Sequence, residues 1–318
     1  MQPCEGEVVP ADCRAGESAG AHRRIVFYTP GFRRYRTSDY DRQDTEEFVS
    51  ISVTGEKCAL HCEHCKTHAL QGMVDLPASG RTLYALCADL ADRGTRGILV
   101  SGGSDRSGRV PLMRHLPDLA RVRRELGLTV HVHPGLPDVG TCDALADIGI
   151  DAALFDVIGD RETIRSVYHL DAGPEEYEAV LASFARRGVP AVPHIVIGHY
   201  FGSMKGEWRA LEMVRRHPAK ALVLVILTPW EDNGGDHQTG PALPEIEQFF
   251  LAARASCPDI PLILGCARPR GGLRAAIDRM AIEAGFDGIA FPADGMVAHA
   301  GHAGLTPRFV NGCCTVPW

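Results

Sequence analysis

Residues 174–197 read PEEYEAVLASFARRGVPAVPHIVI, and this stretch contains the unit from which the fold is predicted. Residues 174–187 carry apolar side chains at helical spacing and end at Arg187-Gly188, where a glycine suits the left-handed conformation that caps many helices. Residues 190–197 then form a short apolar run with β-branched side chains, which is typical of a buried strand. The stretch therefore predicts a helix followed by a strand of a parallel sheet.

The same unit recurs on both sides of this stretch. Strand-like runs occupy residues 48–53, 97–100, 128–133, 152–157, 190–197, 221–227, 261–264 and 288–291, and helical segments between them include 82–92, 112–125, 174–187 and 243–256. A strand–helix order repeated eight times calls for a parallel sheet with right-handed crossovers. It favours an α/β fold, a (β/α)8 barrel of the TIM type, with an open doubly wound sheet as the alternative. On either architecture, the chemistry is expected at the C-terminal ends of the strands.

The barrel pattern divides the chain into three parts. Residues 46–293 form the predicted barrel, residues 1–45 an N-terminal extension and residues 294–318 a C-terminal tail. The extension interleaves five arginines with four aromatic residues, namely Arg23, Arg24, Arg33, Arg34 and Arg36 with Phe27, Tyr28, Phe32 and Tyr35. We interpret this run as a solvated strip, with the docking of an anionic substrate or carrier protein as the alternative.

Composition excludes several classes of protein. The 318 residues contain 33 Lys and Arg against 40 Asp and Glu, so the net charge is −7, which argues against a broad nucleic-acid-binding face. The longest apolar run, residues 221–227, is too short to cross a bilayer, and the first thirteen residues do not resemble a signal peptide. We therefore expect no membrane partner and a cytoplasmic protein. Eleven cysteines in a reducing compartment indicate metal or thiol chemistry.

The strongest chemical signal directly follows the first strand-like run. Residues 54–65 read TGEKCALHCEHC, which places Cys58, Cys62 and Cys65 in a C-x3-C-x2-C pattern on a strand-to-helix loop. Three thiolates on so short a loop can converge on one metal centre, and soft sulfur ligands favour iron–sulfur clusters or zinc. Three ligands leave one position open, as a catalytic metal requires. The alternative is a Cys3His zinc site completed by one of the nearby histidines, which are His61, His64 and His68.

This pattern resembles the signature of the radical S-adenosylmethionine superfamily, in which an aromatic residue usually precedes the last cysteine. His64 stands at that place. The resemblance implies a 4Fe–4S cluster held by Cys58, Cys62 and Cys65, with S-adenosylmethionine bound to the open iron. It further implies an electron donor such as flavodoxin or ferredoxin, and cleavage of the cofactor to a 5′-deoxyadenosyl radical that abstracts hydrogen from a substrate.

The resemblance also assigns cofactor-binding residues at other strand ends. The stretch Ser101, Gly102 and Gly103 is similar to the family's Gly-Gly-Glu stretch, which receives the amino group of the cofactor, although the usual Glu is absent. Asp156 ends the fourth strand, where related barrels place an acid on the ribose, and Arg165 is expected to pair with the methionine carboxylate. The alternatives are an ordinary turn for the glycine pair and solvated loop positions for Asp156 and Arg165.

Within that superfamily, residues 156–198 and the stretch GCARPRGG at 265–272 resemble the biotin synthase and lipoyl synthase branch. Arg268 falls where biotin synthases carry an arginine that supports their auxiliary cluster, so we expect it to be catalytic. The three barrel cysteines that bind this auxiliary cluster in biotin synthases have no counterparts here. Biotin synthesis is therefore not the predicted reaction.

Four cysteines lie outside the predicted barrel. Cys4 and Cys13 precede it, and Cys313 and Cys314 follow it, in an arrangement similar in kind to the auxiliary cluster of lipoyl synthases. The resemblance therefore implies a second iron–sulfur cluster at these residues. The alternative is that the terminal cysteines are exposed thiols.

Histidines at strand ends complete the candidate site. His131, His133, His194 and His199 are expected around the mouth of the barrel, with polar packing as the alternative to a substrate contact, and His133 and His194 are the preferred catalytic pair. The predicted function is a radical enzyme that inserts sulfur into a lipoyl-type acyl chain, a carrier-bound substrate or a small metabolite such as a nucleoside. The alternatives are a single-cluster rearrangement, epimerisation or dehydrogenation, and a non-catalytic iron–sulfur or zinc module.

Overall fold

The computed structural model describes residues 23–31, 35–42, 46–228 and 240–315. The strands are β1 (Arg24–Tyr28), β2 (Tyr35–Arg36), β3 (Asp41–Arg42), β4 (Phe48–Ser52), β5 (Val74–Asp75), β6 (Gly97–Ser101), β7 (Thr129–Val132), β8 (Ala152–Asp156), β9 (Ala191–Ile197), β10 (Leu222–Ile226), β11 (Leu262–Leu264), β12 (Gly288–Ala290) and β13 (Thr306–Val310). The helices are α1 (Leu76–Ser79), α2 (Leu83–Asp92), α3 (Leu116–Arg121), α4 (Val139–Ile148), α5 (Arg161–Val167), α6 (Pro174–Arg187), α7 (Glu207–Arg215), α8 (Leu243–Ser256), α9 (Gly272–Glu283) and α10 (Met296–His302).

The main sheet is a curled, open sheet of eleven parallel strands in the order β5-β4-β6-β7-β8-β9-β10-β11-β12-β1-β13. The eight predicted strands are present as β4 and β6 to β12, and they lie side by side in chain order. The sheet does not show the complete (β/α)8 closure that the sequence predicts, because β12 pairs with β1 and not with β4 among the described residues. The fold is therefore an α/β partial barrel.

Segments that the sequence places outside the barrel repeat join this sheet. In β1, Val26 pairs with Gly288 of β12 on one side and with Arg308 of β13 on the other. Pro307 lies in β13, which is an edge strand of the sheet. Proline has no N–H group, and at an edge strand no hydrogen bond between strands is lost for that reason. The two ends of the chain thus extend the sheet beyond β12.

The helices confirm the boundaries that were read from glycine and from periodicity. Helices α6 and α8 have the predicted bounds, and Gly127, Gly149 and Gly188 adopt the left-handed conformation that the C-cap requires. The predicted helix over residues 112–125 is broken instead into a 3-10 turn, α3 and a π-helical turn. Pro117 explains the late start of α3, because proline fits only the first turn of a helix.

Two apolar layers pack against the two faces of the sheet. Side chains alternate along each strand, so Ile25 and Phe27 of β1 face the helices while Val26 and Tyr28 face the concave interior. The interior layer also contains Ala152, Leu154, Val192, Val223, Ile263, Ala290 and Cys314. The deep part of the concave side is consequently a packed apolar core. The predicted functional site lies at the C-terminal ends of the strands.

The C-terminal tail crosses this interior. The side-chain oxygen of Asn311 accepts hydrogen bonds from Thr29 (2.8 Å) and Tyr40 (2.5 Å), and Thr315 is hydrogen-bonded to Nδ1 of His131 at 2.9 Å. His131 belongs to β7, so the tail links one edge of the open sheet to a strand on the opposite side. Across the described ranges, no helix is both long and apolar enough to cross a membrane.

Candidate metal and cofactor site

The loop that carries Cys58, Cys62 and Cys65 packs against the neighbouring strand end. The three thiols are half-buried and form no disulfide. The amide of Ala59 donates to the carbonyl of Ser104 at 2.8 Å, and the amide of Gly103 donates to the hydroxyl of Thr54 at 2.7 Å. The loop after β4 and the glycine stretch after β6 are therefore bonded into one unit.

The three thiols are close enough to influence one another. Burial, with the neighbouring Cys58 and Cys65, raises the pKa of Cys62 to about 12, and burial is also the main cause of the raised pKa of Cys65. Thiols with raised pKa values lose their protons more readily when a metal cation binds the sulfurs. This donor set fits an iron–sulfur cluster, whose ligands are cysteine thiolates bound to separate iron atoms.

A single-ion site is less well supported. In the described part of the chain, no three His, Cys, Asp or Glu side chains are arranged to hold one metal ion. Zinc ligands must all lie about 2.0–2.3 Å from one point. Nδ1 of His64 is hydrogen-bonded to Nε2 of His199 at 3.2 Å, and Nδ1 of His68 lies 3.4 Å from Oε1 of Gln71. Two of the histidines considered for a zinc site thus have other partners.

Asp156 lies at the end of β8, facing the cysteine loop. The hydroxyl of Tyr168 donates to its carboxylate at 3.2 Å. Burial raises the pKa of Asp156, but the charges that His133, His194, His199 and His64 can carry outweigh burial and lower it. Asp156 is thus an anion among four imidazoles, and its contact with a cofactor stays a prediction.

The preferred histidine pair is brought together in the interior. The ring centroids of His133 and His194 are 6.3 Å apart, and Nδ1 of His194 lies 3.0 Å from the carbonyl of Val192. Burial lowers the pKa of His194, although Asp156 opposes the shift. This imidazole is therefore uncharged at neutral pH, a state in which one nitrogen accepts a proton and the other donates one.

The stretch Ser101, Gly102 and Gly103 packs closely against the cysteine loop, which explains its glycines. A Cβ on Gly103 would lie 2.0 Å from the carbonyl oxygen of Lys57 and 2.6 Å from Cα of Cys58. Ser101 donates its hydroxyl to the carbonyl of His133 at 3.0 Å, and Gly102 lies against Thr54. Gly103 is thus required where the cysteine loop meets β6, and the cofactor contacts of Ser101, Gly102 and Gly103 stay a prediction.

Two predicted arginines are placed differently from each other. Arg268 is buried, and all five of its N–H groups are engaged, with the carboxylate of Asp278 and with the carbonyls of Gly265, Ala290 and Phe291. This geometry supports a structural role, and the catalytic role predicted for Arg268 stays a prediction. Arg165 lies exposed in the last turn of α5, where it lowers the pKa of Glu162, after the larger effects of Lys205 and Tyr200.

The tail cysteines lie inside the sheet, while Cys4 and Cys13 fall outside the described residues. Cys314 packs in the interior layer, and Cys313 lies 3.6 Å from the hydroxyl of Thr315. Hydrogen bonding from Cys314, then from His131 and Thr315, lowers the pKa of Cys313 in spite of burial, and the same thiol pair raises the pKa of Cys314. Cys313 also acts on the pKa of His194. The tail and the histidine pair therefore share one interior.

Sequence reasoning missed three residues of this region. Tyr168 bonds to Asp156, Thr315 bonds to His131, and the buried carboxylate of Glu207 accepts backbone N–H groups of the loop that carries His199. Tyr168 and Glu207 are isolated in the sequence, with no motif around them. The adjacent cysteines are the one signal that could have drawn attention to Thr315.

Comparison with family models finds no match, and comparison with curated proteins finds none either. Solved structures do match. HydG from Carboxydothermus hydrogenoformans, an FeFe-hydrogenase maturase, superposes with a TM-score of 0.58 at 13% identity, covering 91% of this chain and 69% of HydG. Methylornithine synthase PylB superposes with a TM-score of 0.55 at 13% identity, covering 82% of each chain.

A third structure contains the predicted cofactor. Streptococcus suis SuiB bound to S-adenosylmethionine superposes with a TM-score of 0.50 at 9% identity, covering 78% of this chain and 51% of SuiB. These structural neighbours are radical S-adenosylmethionine enzymes, and identities this low show a shared fold alone. The biotin synthase and lipoyl synthase branch is not confirmed. This chain shares a partial-barrel fold with HydG, PylB and SuiB.

Proposed function

We propose that this chain is a radical S-adenosylmethionine enzyme. One observation carries the proposal: the loop with three half-buried thiols packs against the glycine stretch after β6, and Asp156 of β8 faces the thiols. The fold that presents this site is shared with such enzymes. When bound, the 4Fe–4S cluster supplies the electron that cleaves S-adenosylmethionine to methionine and a 5′-deoxyadenosyl radical.

The chain's own residues hold and orient the cofactors in this proposal. Cys58, Cys62 and Cys65 bind the cluster. The backbone of the stretch Ser101, Gly102 and Gly103 is proposed to receive the amino group of S-adenosylmethionine on the side that the cysteine loop and Thr54 leave uncovered. Asp156 is proposed to accept hydrogen bonds from the ribose. His64 lies beside the cysteines, and Arg165 remains the proposed partner of the cofactor carboxylate.

The substrate is proposed to lie in the sheet interior beside His133 and His194. The two ring centroids are 6.3 Å apart, and the uncharged state of His194 would let it receive or deliver a proton to a substrate bound there. The packed tail lies beneath them. Arg268 is bonded to the carbonyls of Gly265 and Ala290, at the ends of β11 and β12.

Sulfur insertion is the reaction that we favour. The support for it is the position of the tail cysteines. Cys314 packs in the interior layer, and Cys313 is close enough to His194 to affect its pKa, so sulfur held by the tail would lie near the proposed substrate. An auxiliary cluster on Cys313 and Cys314, joined by Cys4 and Cys13, is the proposed sulfur source. The substrate class remains a lipoyl-type acyl chain or a small metabolite such as a nucleoside.

Anaerobic purification tests the main proposal. The protein is expected to be brown and to contain about four irons per chain from the radical cluster. With S-adenosylmethionine and a strong reductant it should release 5′-deoxyadenosine and methionine. Replacing Cys58, Cys62 and Cys65 by alanine should abolish this release, whereas Cys142→Ala, a buried thiol of α4, should retain it. A colourless protein that contains zinc would contradict the proposal.

Iron counting tests the auxiliary cluster separately. The wild type should contain about eight irons, and a Cys313→Ala, Cys314→Ala double variant about four, with cleavage of S-adenosylmethionine preserved. A count of about four in both proteins would remove the auxiliary cluster. A single-cluster rearrangement, epimerisation or dehydrogenation would then replace sulfur insertion as the proposed reaction.

A further inference from the structure

The turn that carries Cys62 and Cys65 has a strained backbone. The φ angle is 46° at His61, 44° at Lys66 and 68° at Thr67, in the left-handed region that residues other than glycine rarely adopt. For a residue with a Cβ, this conformation is less stable than the right-handed one. Contacts from outside the turn must therefore hold it in this shape.

Three rings meet at one side of the turn. His64 and His199 have centroids 4.6 Å apart, and Tyr168 lies 5.0 Å from each of them, so the rings form a closed triangle. Nε2 of His199 and Nδ1 of His64 share a hydrogen bond of 3.2 Å. Tyr168 and His199 are only 7% and 5% exposed. The His64 ring is thus held by two buried neighbours.

The two neighbours are themselves fixed. The carboxylate of Glu207, 3% exposed, accepts four backbone N–H groups, those of Gly198, His199, Lys205 and Gly206, at 2.7–3.1 Å. These bonds tie down both ends of the loop that presents the His199 ring. Because the backbone of this loop is fixed by these bonds, the position of the His199 ring is fixed as well.

Tyr168 is fixed from a different element. Its hydroxyl donates to Asp156 at 3.2 Å, and the preceding residue, Val167, accepts the amide of Glu63 at 2.9 Å. The segment after α5 therefore contacts the cysteine turn through its backbone as well as through a ring. The restraints on the turn come from α5 on one side and from the loop after β9 on the other.

We propose that Tyr168 and His199 are positioning residues that fix the His64 ring and, through it, hold the Cys62–Cys65 turn in its cluster-binding shape. The proposal rests on the function proposed above, because it assumes a cluster on these cysteines. Neither residue belongs to the cysteine motif, and neither ligates the cluster. Their effect is expected on the environment of the cluster and on the affinity for the cofactor that binds beside it.

The experiment compares variants of the full chain reconstituted with iron and sulfide. His199→Phe keeps an aromatic ring and removes the hydrogen bond to His64, while His199→Gln restores a polar side-chain group near that position. His217→Phe is the matched control, since His217 lies beyond the end of α7 and contacts Glu178. The measurements are iron per chain, the electron paramagnetic resonance spectrum of the reduced protein with and without S-adenosylmethionine, and kcat and KM for 5′-deoxyadenosine release.

His199→Phe is expected to retain its iron, to show a changed resonance spectrum on addition of S-adenosylmethionine, and to have a KM for it about five- to tenfold higher, with kcat little changed, as for one lost hydrogen bond. His199→Gln should recover most of the wild-type behaviour, and His217→Phe should match the wild type. If His199→Phe matches His217→Phe in spectrum and KM, the proposal is overturned.

Tyr168→Phe provides the second route if His199→Phe loses its iron. It keeps the ring and removes only the bond to Asp156, so a smaller change of spectrum and KM in the same direction is expected, and an unchanged protein would overturn the proposal. A wild type that binds no iron or does not cleave S-adenosylmethionine overturns both proposals. Active wild type with unaffected variants overturns the positioning roles alone.

Discussion

At Gly103, the addition of a single methyl group should disturb the site. In Gly103→Ala, the added Cβ meets backbone atoms of Lys57 and Cys58, which cannot move without displacing the cysteine loop. Overpacking of this kind costs about 1–3 kcal/mol. We expect the variant to lose that much free energy of unfolding and to bind iron poorly, as measured by denaturant unfolding and by iron content.

Gly272→Ala is the control for this change. Gly272 begins α9, and a Cβ there meets no atom within 4 Å, so the stability and the iron content should stay near those of the wild type. Equal iron content in the two variants would show that the close approach of Gly103 to the loop does not shape the cluster site.

Individual residues also differ in how well the sequence alone predicts their role. The cysteine trio is found because its members lie within eight consecutive residues, and their spacing alone places them on one loop. Arg268 resembles a pocket residue for the same local reason, but its partner Asp278 is ten residues away on α9 and consumes two of its N–H groups. Whether a charge is free or paired depends on tertiary contacts that spacing does not encode.

At the scale of elements, polar contacts with His131 hold the C-terminal tail across the interior. The ring of His131 is fully buried, and its Nε2 has no hydrogen-bond partner among the described residues. Its polar contacts to the tail are the bond between Nδ1 and Thr315 and the hydrogen bond to the Cys313 thiol. Thr315→Val removes the hydroxyl partner of this buried imidazole and should lower the free energy of unfolding by about 1–3 kcal/mol. Thr315→Ser keeps the hydroxyl and should remain near the wild type in denaturant unfolding; equal losses in both variants would contradict the role of this bond.

We expect the stability of the chain to depend on pH, because two buried histidines lie at the end of β9 and in the loop that follows it. Burial lowers the pKa of His194 and of His199 in the folded chain, with His64 adding to the shift of His199. Below the ordinary histidine pKa of about 6.5, the unfolded chain then binds more protons than the folded one, so stability falls as the pH falls. Each unit of lowering is worth about 1.4 kcal/mol.

Denaturant unfolding of the iron-free protein at pH 7.5 and pH 5.5 measures this effect. We expect a lower free energy of unfolding at pH 5.5 and a smaller difference in His194→Gln. The pKa of Asp156 is lowered, so its contribution is lost only below about pH 3.8 and does not enter this window. Stability that is equal at the two pH values in the wild type would show that folding does not lower the pKa of these histidines.

For the whole molecule, local periodicity predicts the repeat but not how the sheet ends. Helices α6 and α8 and the eight strands of the repeat follow from patterns a few residues long. The pairing of β1 with β12 joins residues more than 260 positions apart, and no local pattern distinguishes it from a pairing of β4 with β12. The Arg and aromatic residues of the extension suggest a surface strip, whereas Phe27 and Tyr28 are fully buried.

The contribution of β1 to the whole sheet can be measured through Phe27. Its ring packs edge-on against Phe309 of β13 at 5.4 Å and is fully buried in the layer beneath the helices. If β1 is an integral strand between β12 and β13, Phe27→Ala should lower the free energy of unfolding by about 3–5 kcal/mol, as for a core phenylalanine. Leu251→Ala on α8, a side chain that is 53% exposed, should cost less than about 1 kcal/mol. A similar small loss in both variants would show that the N-terminal segment is an appendage, as the sequence alone suggests, and that the sheet ends at β12.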